Sequence, residues 1–464
     1  MSAGYIAFVR TLARSLKRFH PDATVTALAI EPLPASIDPQ NEPFEILPIE
    51  SLDIPNLSRL RMRYRVAELC GPLRVRLLQH LLQERSFRSV VYLDADNFCV
   101  GPLAELPSLL AKHQIVLTPQ ITAPFPPDLV VPSEFATLSA GIFNSGFLGV
   151  SQGEEAFDML SWWWERTQRF SFRRPEEGMF ADQKWLDFIP GMYQSVAIIQ
   201  DPAYNAAFWN LHERPLEVRN GEFFVRGKRA AFFHMSNFSP GSPPAFCRDT
   251  ALEHFASEPA AQTLAEAYQR ALEENEFSGT HNIPYAYDSF KDGTTISPII
   301  RRIYEMVEDR PWSQDPFSVG PGSFREWLTS PATDRRNSAG LTNFQARLAE
   351  LSVEASILYP DACNRDATRF AEWLLSSRQQ RMFRLDPPFL PPLHTLAARN
   401  SYWPVKKLLE ARHSWKPYQM LCAVMRAFLG KRLYDTIKPK RRIESAEPLL
   451  MSHEKEKSSA NTVG

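Results

Sequence analysis

Residues Ser89–Val100 read SVVYLDADNFCV, an apolar run that stops at two carboxylates, Asp94 and Asp96, one residue apart. Val90, Val91, Tyr92 and Leu93 favour an extended, half-buried backbone, so the segment is expected to be a strand whose burial ends where charge begins. In open α/β sheets ligands bind beyond the carboxyl ends of the strands, and the two aspartates stand there. Oxygen donors in this arrangement suit a hard divalent cation, which can bridge carboxylates to a diphosphate and offset charge on a leaving group. Taken alone, a D-x-D pair also fits solvated aspartates in a turn.

Working outward, further strands are expected at Thr24–Ile30, Phe44–Leu47, Gln114–Thr118, Ile142–Val150, Ser195–Gln200 and Arg229–His234, with helices at Tyr5–Phe19, Val66–Glu84 and Glu154–Thr167 between them. That alternation predicts an α/β layered domain with a mixed, mostly parallel sheet. Pro124–Pro132 reads as a loop, because proline removes backbone donors. Beyond about Arg310 strand signals cease, and Leu341, Phe344, Leu348, Leu351 and Ala355 recur at helical spacing, followed by a helix at Ala367–Leu375. The expected organisation is an α/β domain over 1–310, a helical domain over 311–400, a basic amphipathic segment over 401–443 and a polar, disordered tail over 444–464.

A second apolar run, Ala230–Asn237 (AAFFHMSN), carries His234, and neutral imidazole is a common ligand of transition metals. Two strands that each end in ligand-type residues point to one shared site. Five stretches then occur in a familiar order: YLDADNFCVGPL from Tyr92, FNSGFLGV from Phe143, FADQKWLD from Phe180, YNAAFWNLHER from Tyr204 and FFHMSNF from Phe232. In these the chain from Tyr5 to about Tyr287 resembles the GT-A fold nucleotide-diphospho-sugar transferases, close to the glycogenin and lipopolysaccharide galactosyltransferase group. The resemblance implies that Asp94, Asp96 and His234 hold Mn²⁺ or Mg²⁺ on the donor diphosphate. It implies further that Asn144, Asp182 and Gln183 contact the donor or acceptor sugar, with Asp182 and Gln183 along the reacting face of a retaining enzyme. Arg74, with Arg76 close by, matches the basic residue that contacts donor phosphate. Tyr204, Asn205, Trp209 and His212 form an aromatic and polar cluster suited to a sugar ring. Each has a structural alternative: Asn144 in a turn before Gly146, Asp182 as a helix cap, Trp209 in the core, an arginine on a solvated face. Relatives begin with a short apolar strand, whereas the match here starts at Tyr5, in the loop before the first helix. The first strand is therefore expected to be missing, either because the true start lies upstream or because part of the nucleotide platform has been lost.

Among 464 residues 44% are hydrophobic and 23% charged, with a formal net charge of −1, which gives no nucleic-acid signature. Cys70, Cys99, Cys247, Cys363 and Cys422 are odd in number and never spaced CxxC, against a disulfide framework or structural zinc and for a reducing cytoplasm. No apolar run reaches the length of a membrane span, and Tyr5–Phe19 reads as an amphipathic helix rather than a transit peptide. The function expected is transfer of a hexose-like sugar from a nucleotide-diphospho-sugar to a glycan or lipid-linked acceptor in polysaccharide biosynthesis. The alternative is a catalytically silent GT-A-like protein that binds sugars or nucleotides. A nucleotidyltransferase would open with a glycine-rich phosphate loop, which is not found.

Trp403–Arg442 carries eleven Lys or Arg against Glu410 and Asp435, a local net of +9, with Tyr418, Leu421, Cys422, Met425, Phe428 and Leu429 at helical spacing. Such a segment suits an anionic membrane surface, at about 1 kcal/mol per basic residue; the alternative is that the apolar stripe packs on the helical unit and leaves the basic residues as a solvated face. The full chain should sediment with anionic vesicles at low salt and be released at high salt, and a chain cut after Asn400 should stay in the supernatant. Equal sedimentation of both would remove this segment as the anchor.

Overall fold

The computed structural model describes residues 1–126, 134–241, 243–247, 258–333 and 336–398. The expected basic segment, the polar tail, Cys422 and most of the Pro124–Pro132 loop lie outside them. Helix α1 (Ile6–Lys17) buries Ile6, Val9, Leu12 and Ala13, leads into β1 (Thr26–Ala29), and β1 pairs in parallel with β2 (Glu45–Pro48). Helices α2 (Leu57–Arg63) and α3 (Val66–Gln79) follow. A π-helical turn over His80–Glu84 ends the expected Val66–Glu84 helix, with Arg85 N–H donating to the carbonyl of His80.

The central sheet is built from β3 (Ser89–Leu93), β5 (Ile115–Pro119), β6 (Phe143–Ser151) and β9 (Val196–Ile198) in the order β3-β6-β5-β9. β6 is antiparallel to both of its neighbours, and β5 runs parallel to β9. Every residue of β6 is buried, including the polar Asn144, Ser145 and Ser151, as a central strand covered on both faces requires. Helix α4 (Leu106–Lys112) joins β4 (Asn97–Cys99) to β5. Helix α5 (Glu134–Ala140) precedes β6, and α6 (Glu154–Phe170) follows it, burying Ala156, Met159, Leu160 and Trp163 against α3 and the sheet.

Smaller sheets complete the first part: β7 (Arg173–Arg174) with β8 (Met179–Phe180), β10 (Ala206–Ala207) with β14 (Phe232–His234) and β4, and a meander of β11 (Leu216–Arg219), β12 (Glu222–Val225) and β13 (Lys228–Arg229). The expected strand Arg229–His234 is thus two. Its first residues close the β12–β13 hairpin, and after Ala230–Ala231 the chain passes to β14, antiparallel to β4 and parallel to β10.

Helices without strands follow β14, among them Pro259–Glu273, Pro298–Val307, Phe324–Thr329, Asn343–Leu351, Val353–Leu358 and Ala367–Leu374. The helical pattern expected through Ala355 breaks at Ser352, whose hydroxyl accepts from Ala355 N–H and starts a new helix. Phe290, Ile300, Ile303 and Tyr304 share one core with Phe344, Phe370 and Trp373, and that core reaches Met62 in α2. Residues Met1–Arg399 form one compact unit.

Arg301, 3% exposed, ties the helical region to the C-terminal end of α2. It donates to the carbonyls of Arg61 (2.6 Å), Tyr64 (2.8 Å) and Tyr287 (2.7 Å) and to Asp288 (2.9 Å). Replacing it leaves several buried carbonyls unpaired, at a cost of about 3–5 kcal/mol. Arg301→Met should lower the urea midpoint accordingly while leaving metal affinity of the remaining folded fraction unchanged. An unaltered midpoint would show that this cluster does not hold the two regions together.

Candidate metal and ligand site

β3 ends at Leu93, and the chain turns sharply through Asp94, Ala95 and Asp96 into β4. Asn97, fully buried, locks the turn: its backbone N–H donates to Asp94 O, and its side-chain amide donates to the carbonyls of Asp94 (3.0 Å) and Gly146 (3.1 Å). β14 then pairs antiparallel to β4 with His234 opposite Asn97, and Met235 N–H donates to Asp96 O. The two strand ends singled out in the sequence therefore meet. His234 Nε2 lies 3.3 Å from Asp96 Oδ1 and 3.9 Å from Asp94 Oδ2, and one ligand atom from each of the three residues lies within 4.8 Å of the others.

The orientation of His234 is determined by its second nitrogen. Asn144 Oδ1 accepts from Gly146 N–H (2.9 Å), which identifies that atom as the oxygen, and His234 Nδ1 lies 3.2 Å from it. Nδ1 must then carry a proton, and Nε2 is the atom presented to the carboxylates. Burial disfavours protonated His234, but Asp96 and Asp94 outweigh it and raise its pKa. Burial likewise opposes ionisation of Asp96, and His234 nonetheless holds its carboxyl below the ordinary range.

Gly146 leaves the space these groups converge on. A Cβ there would lie 2.4 Å from His234 Cε1 and 2.9 Å from Asp94 Oδ2, so only glycine lets β6 pass behind the cluster. Two carboxylates and one imidazole around such a gap fit a divalent cation of the Mn²⁺ or Mg²⁺ type, with positions left for outside oxygens.

Arg74 on α3 forms the adjoining wall. It is 5% exposed; Nη1 donates to Ser145 O and Asp182 Oδ2, both at 2.7 Å, and Nη2 to Asp94 Oδ1 at 2.9 Å. Its guanidinium stacks 4.1 Å from the Tyr92 ring, and Tyr92 donates its hydroxyl to Asp94 (2.8 Å). Asp182 begins the 3-10 turn Gln183–Phe188 but makes no capping bond with its side chain. Its carboxyl faces Arg74, and burial raises its pKa against the pull of that arginine. Gly71 allows α3 this close, since a Cβ there would lie 2.8 Å from Asp182 Cβ. Gln183 accepts from Ser145 N–H (3.1 Å) and donates to Ala140 O (3.0 Å), and Asn144 donates to Gln120 Oε1 (3.3 Å).

A cavity of about 1000 Å³ opens on these groups, lined at this end by Arg74, Asp94, Asp96, Asn144, Asp182, Gln183, Trp209 and His234 among others. Trp209 meets the His234 ring edge-on, 5.3 Å between centroids, and its indole N–H donates to Gln120 O. The structure does not bring the whole expected set together. Arg76 lies outside the lining and is bound to Gln79 and the Asp53 carbonyl. Asn205 is fully buried in a left-handed turn with its amide toward Thr118 Oγ1, and His212 stacks on Phe125; neither lines the cavity. Tyr204 packs between Phe147 and Phe232. Tyr92, Asn97, Gln120 and Ser145 belong to the site but were not singled out. Tyr92 was within reach, because residues i and i+2 of a strand share a face and Tyr92 precedes Asp94 by two.

No family model matches this sequence. It is 25% identical over 201 residues to the uncharacterized protein YfnF of Bacillus subtilis (strain 168), covering 42% of this chain, and 20% identical over 208 residues to YfnD of the same organism, covering 43%. The chain spans 64% of the length of each of these curated relatives. Among solved structures it is similar to the galactosyltransferase LgtC in complex with donor and acceptor sugar analogs, at 14% identity and TM-score 0.35, over 61% of this chain and 95% of that one. It is also similar to a glycosyltransferase involved in glycosylation of the major capsid of PBCV-1, at 14% identity and TM-score 0.28, over 54% and 91%. Overlap at this level leaves the activity to the site's own chemistry.

Asn144→Ala removes the acceptor that orients His234 and should weaken Mn²⁺ binding about 10–100-fold by titration calorimetry, the usual cost of losing such a partner. Gly146→Ala should abolish binding with the circular dichroism spectrum retained. Wild-type affinity in both variants would separate these residues from any metal site.

Proposed function

We propose that the cavity is the active site of a glycosyltransferase that takes its sugar from a nucleotide-diphospho-sugar with the help of Mn²⁺ or Mg²⁺. The observation that carries this reading is the convergence of Asp94, Asp96 and His234 at two strand ends, beside the amide-lined pocket of Asn144, Gln183 and Gln120. The cation bound there would supply positive charge to the departing diphosphate. Everything else falls to the chain's own groups. Both Nη atoms of Arg74 are engaged with the protein, so Arg74 is a positioning residue that holds Asp94 and Asp182 and adds positive potential to the diphosphate end. Asn144 fixes His234, and Asp182 and Gln183 line the sugar-binding side, where retention of configuration would place the reacting carbon. Trp209 offers an aromatic wall to the sugar or its acceptor.

The acceptor we propose is a glycan or lipid-linked sugar, with the chain in the cytoplasm and Trp403–Arg442 holding it against an anionic leaflet. Among the described residues no helix is long and apolar enough to cross a membrane. Loss of the cation ligands should separate activity from folding. Asp96→Ala and His234→Ala should each reduce hydrolysis of nucleotide sugars in the presence of Mn²⁺ to background, with thermal stability of the metal-free protein retained. A screen over donors in which the parent chain hydrolyses none, while binding a nucleoside diphosphate tightly, would favour the silent binding protein instead.

A further inference from the structure

Past Asp182 the cavity runs along the N-terminal half of α3. Arg74, Gly71 and Glu68 follow one face of that helix at three-residue steps and meet different partners: Arg74 reaches Asp94, Gly71 packs against Asp182, and Glu68 Oε1 accepts from Arg173 N–H (2.9 Å). Six residues of helix separate the first from the last, a rise of about 9 Å. Arg173 lines the cavity at that distance from Arg74, together with Glu68, Phe180 and Ala181.

The hairpin of β7 and β8 fixes the Arg173 side chain. Arg173 pairs with Phe180 across the two strands, and its guanidinium lies over the Phe180 ring at 4.5 Å. Stacked in this way, a guanidinium keeps its edge, and so its donors, available to an oxyanion. Ala181 follows with a φ of 49°, uncommon without glycine, and the turn it makes lets Phe180, Ala181 and Asp182 all line the cavity.

Arg173 differs from its neighbours in lacking compensation. Arg174 stacks on Phe172 and is paired with Glu305 and Glu177. Among the described residues the Arg173 guanidinium has no hydrogen bond or ion pair, and its charged neighbours are Arg65 and Glu68. Glu68 is already committed to the Arg65 guanidinium (3.1 Å) and to the backbone N–H groups of Arg65 and Arg173. Solvent still reaches Arg173, yet burial lowers its pKa and the charge of Arg65 lowers it further, against the smaller pull of Glu68. Two guanidiniums beside one committed carboxylate leave net positive charge and free donors at this end of the cavity.

We propose that Arg173, stacked on Phe180 and reinforced by Arg65, recognises an oxyanion on the acceptor, a phosphate or a carboxylate, on the far side of Asp182 from the cation site. The distance along α3 sets this group apart from a diphosphate held at Asp94 and Asp96. The acceptor is thereby an acidic sugar, a glycosyl phosphate or a uronic acid. The assignment rests on the glycosyltransferase reading of the cavity, but its binding step needs no turnover.

Three methyl hexosides that differ only at C6, as hydroxymethyl, carboxylate or phosphate, test it by saturation-transfer nuclear magnetic resonance on the full chain holding Mg²⁺ and a nucleoside diphosphate. At least one charged hexoside should bind about tenfold more tightly than the neutral one, the usual worth of a hydrogen bond to a charged group. Arg173→Met should reduce that preference to about twofold or less, and Arg173→Lys should restore part of it. Both variants should melt with the parent, because the guanidinium bonds to no described residue. Tighter binding of the phosphate identifies a glycosyl phosphate, and of the carboxylate a uronic acid. The proposal is overturned if the three hexosides bind alike, if none binds, or if Arg173→Met keeps the parent's preference. Hydrolysis of a nucleotide sugar judges the glycosyltransferase reading apart from this. Charge preference without hydrolysis would uphold Arg173 as the determinant for an acidic sugar and remove the transferase, whereas hydrolysis without the preference would keep the transferase and remove this subsite.

Discussion

The antiparallel pairing of β14 with β4 is the constraint on which the site depends. It sets His234 opposite Asn97, one residue past Asp96, and so brings the imidazole to the carboxylates. Asn97 serves both sides of the arrangement, since its amide clamps the Asp94 turn to the Gly146 carbonyl while its backbone sits in the ladder. A shift of one residue in that register would send His234 to the opposite face of its strand, because side chains alternate with period two. The grouping of Asp94, Asp96 and His234 is therefore a property of strand pairing.

The opposite wall is organised by a buried ion pair. Arg74 and Asp182 come from segments 108 residues apart and meet at 2.7 Å, each nearly without solvent. Two charges withdrawn from water in this way are a poor source of stability compared with apolar packing. Their use is orientation: the same guanidinium reaches Asp94, so the Asp94 and Asp182 carboxylates are held by one group. Gly71 and Gly146 make the approach possible by leaving out the side chains that would block it.

Much of this was legible in the residues. The strand Ser89–Leu93 and its two aspartates stand as expected, because an apolar run with an abrupt polar end has few other readings. The match of Phe143–Val150 and Phe232–Phe238 in order pointed to Asn144 and His234. What could not be read were contacts made across the fold. Arg76 and Arg74 are both arginines of α3, and only packing decides that one enters the cavity and the other turns to Asp53. Asn205 and His212 carry suitable chemistry, but a left-handed turn and a stack on Phe125 remove them from the lining. Gln120 ends a strand with no charge to draw attention to it, and the break at Ser352 was hidden by apolar spacing that continues through it.

The central claim is that Asp94, Asp96 and His234 hold a divalent cation with positions open to a diphosphate. Electron paramagnetic resonance of bound Mn²⁺, with detection of nearby nuclei, addresses it directly. The account predicts a nitrogen coupling that disappears in His234→Ala, and a phosphorus coupling that appears when a nucleoside diphosphate is added. Mn²⁺ whose spectrum remains that of the aqueous ion, or a nitrogen coupling that survives in His234→Ala, would contradict it.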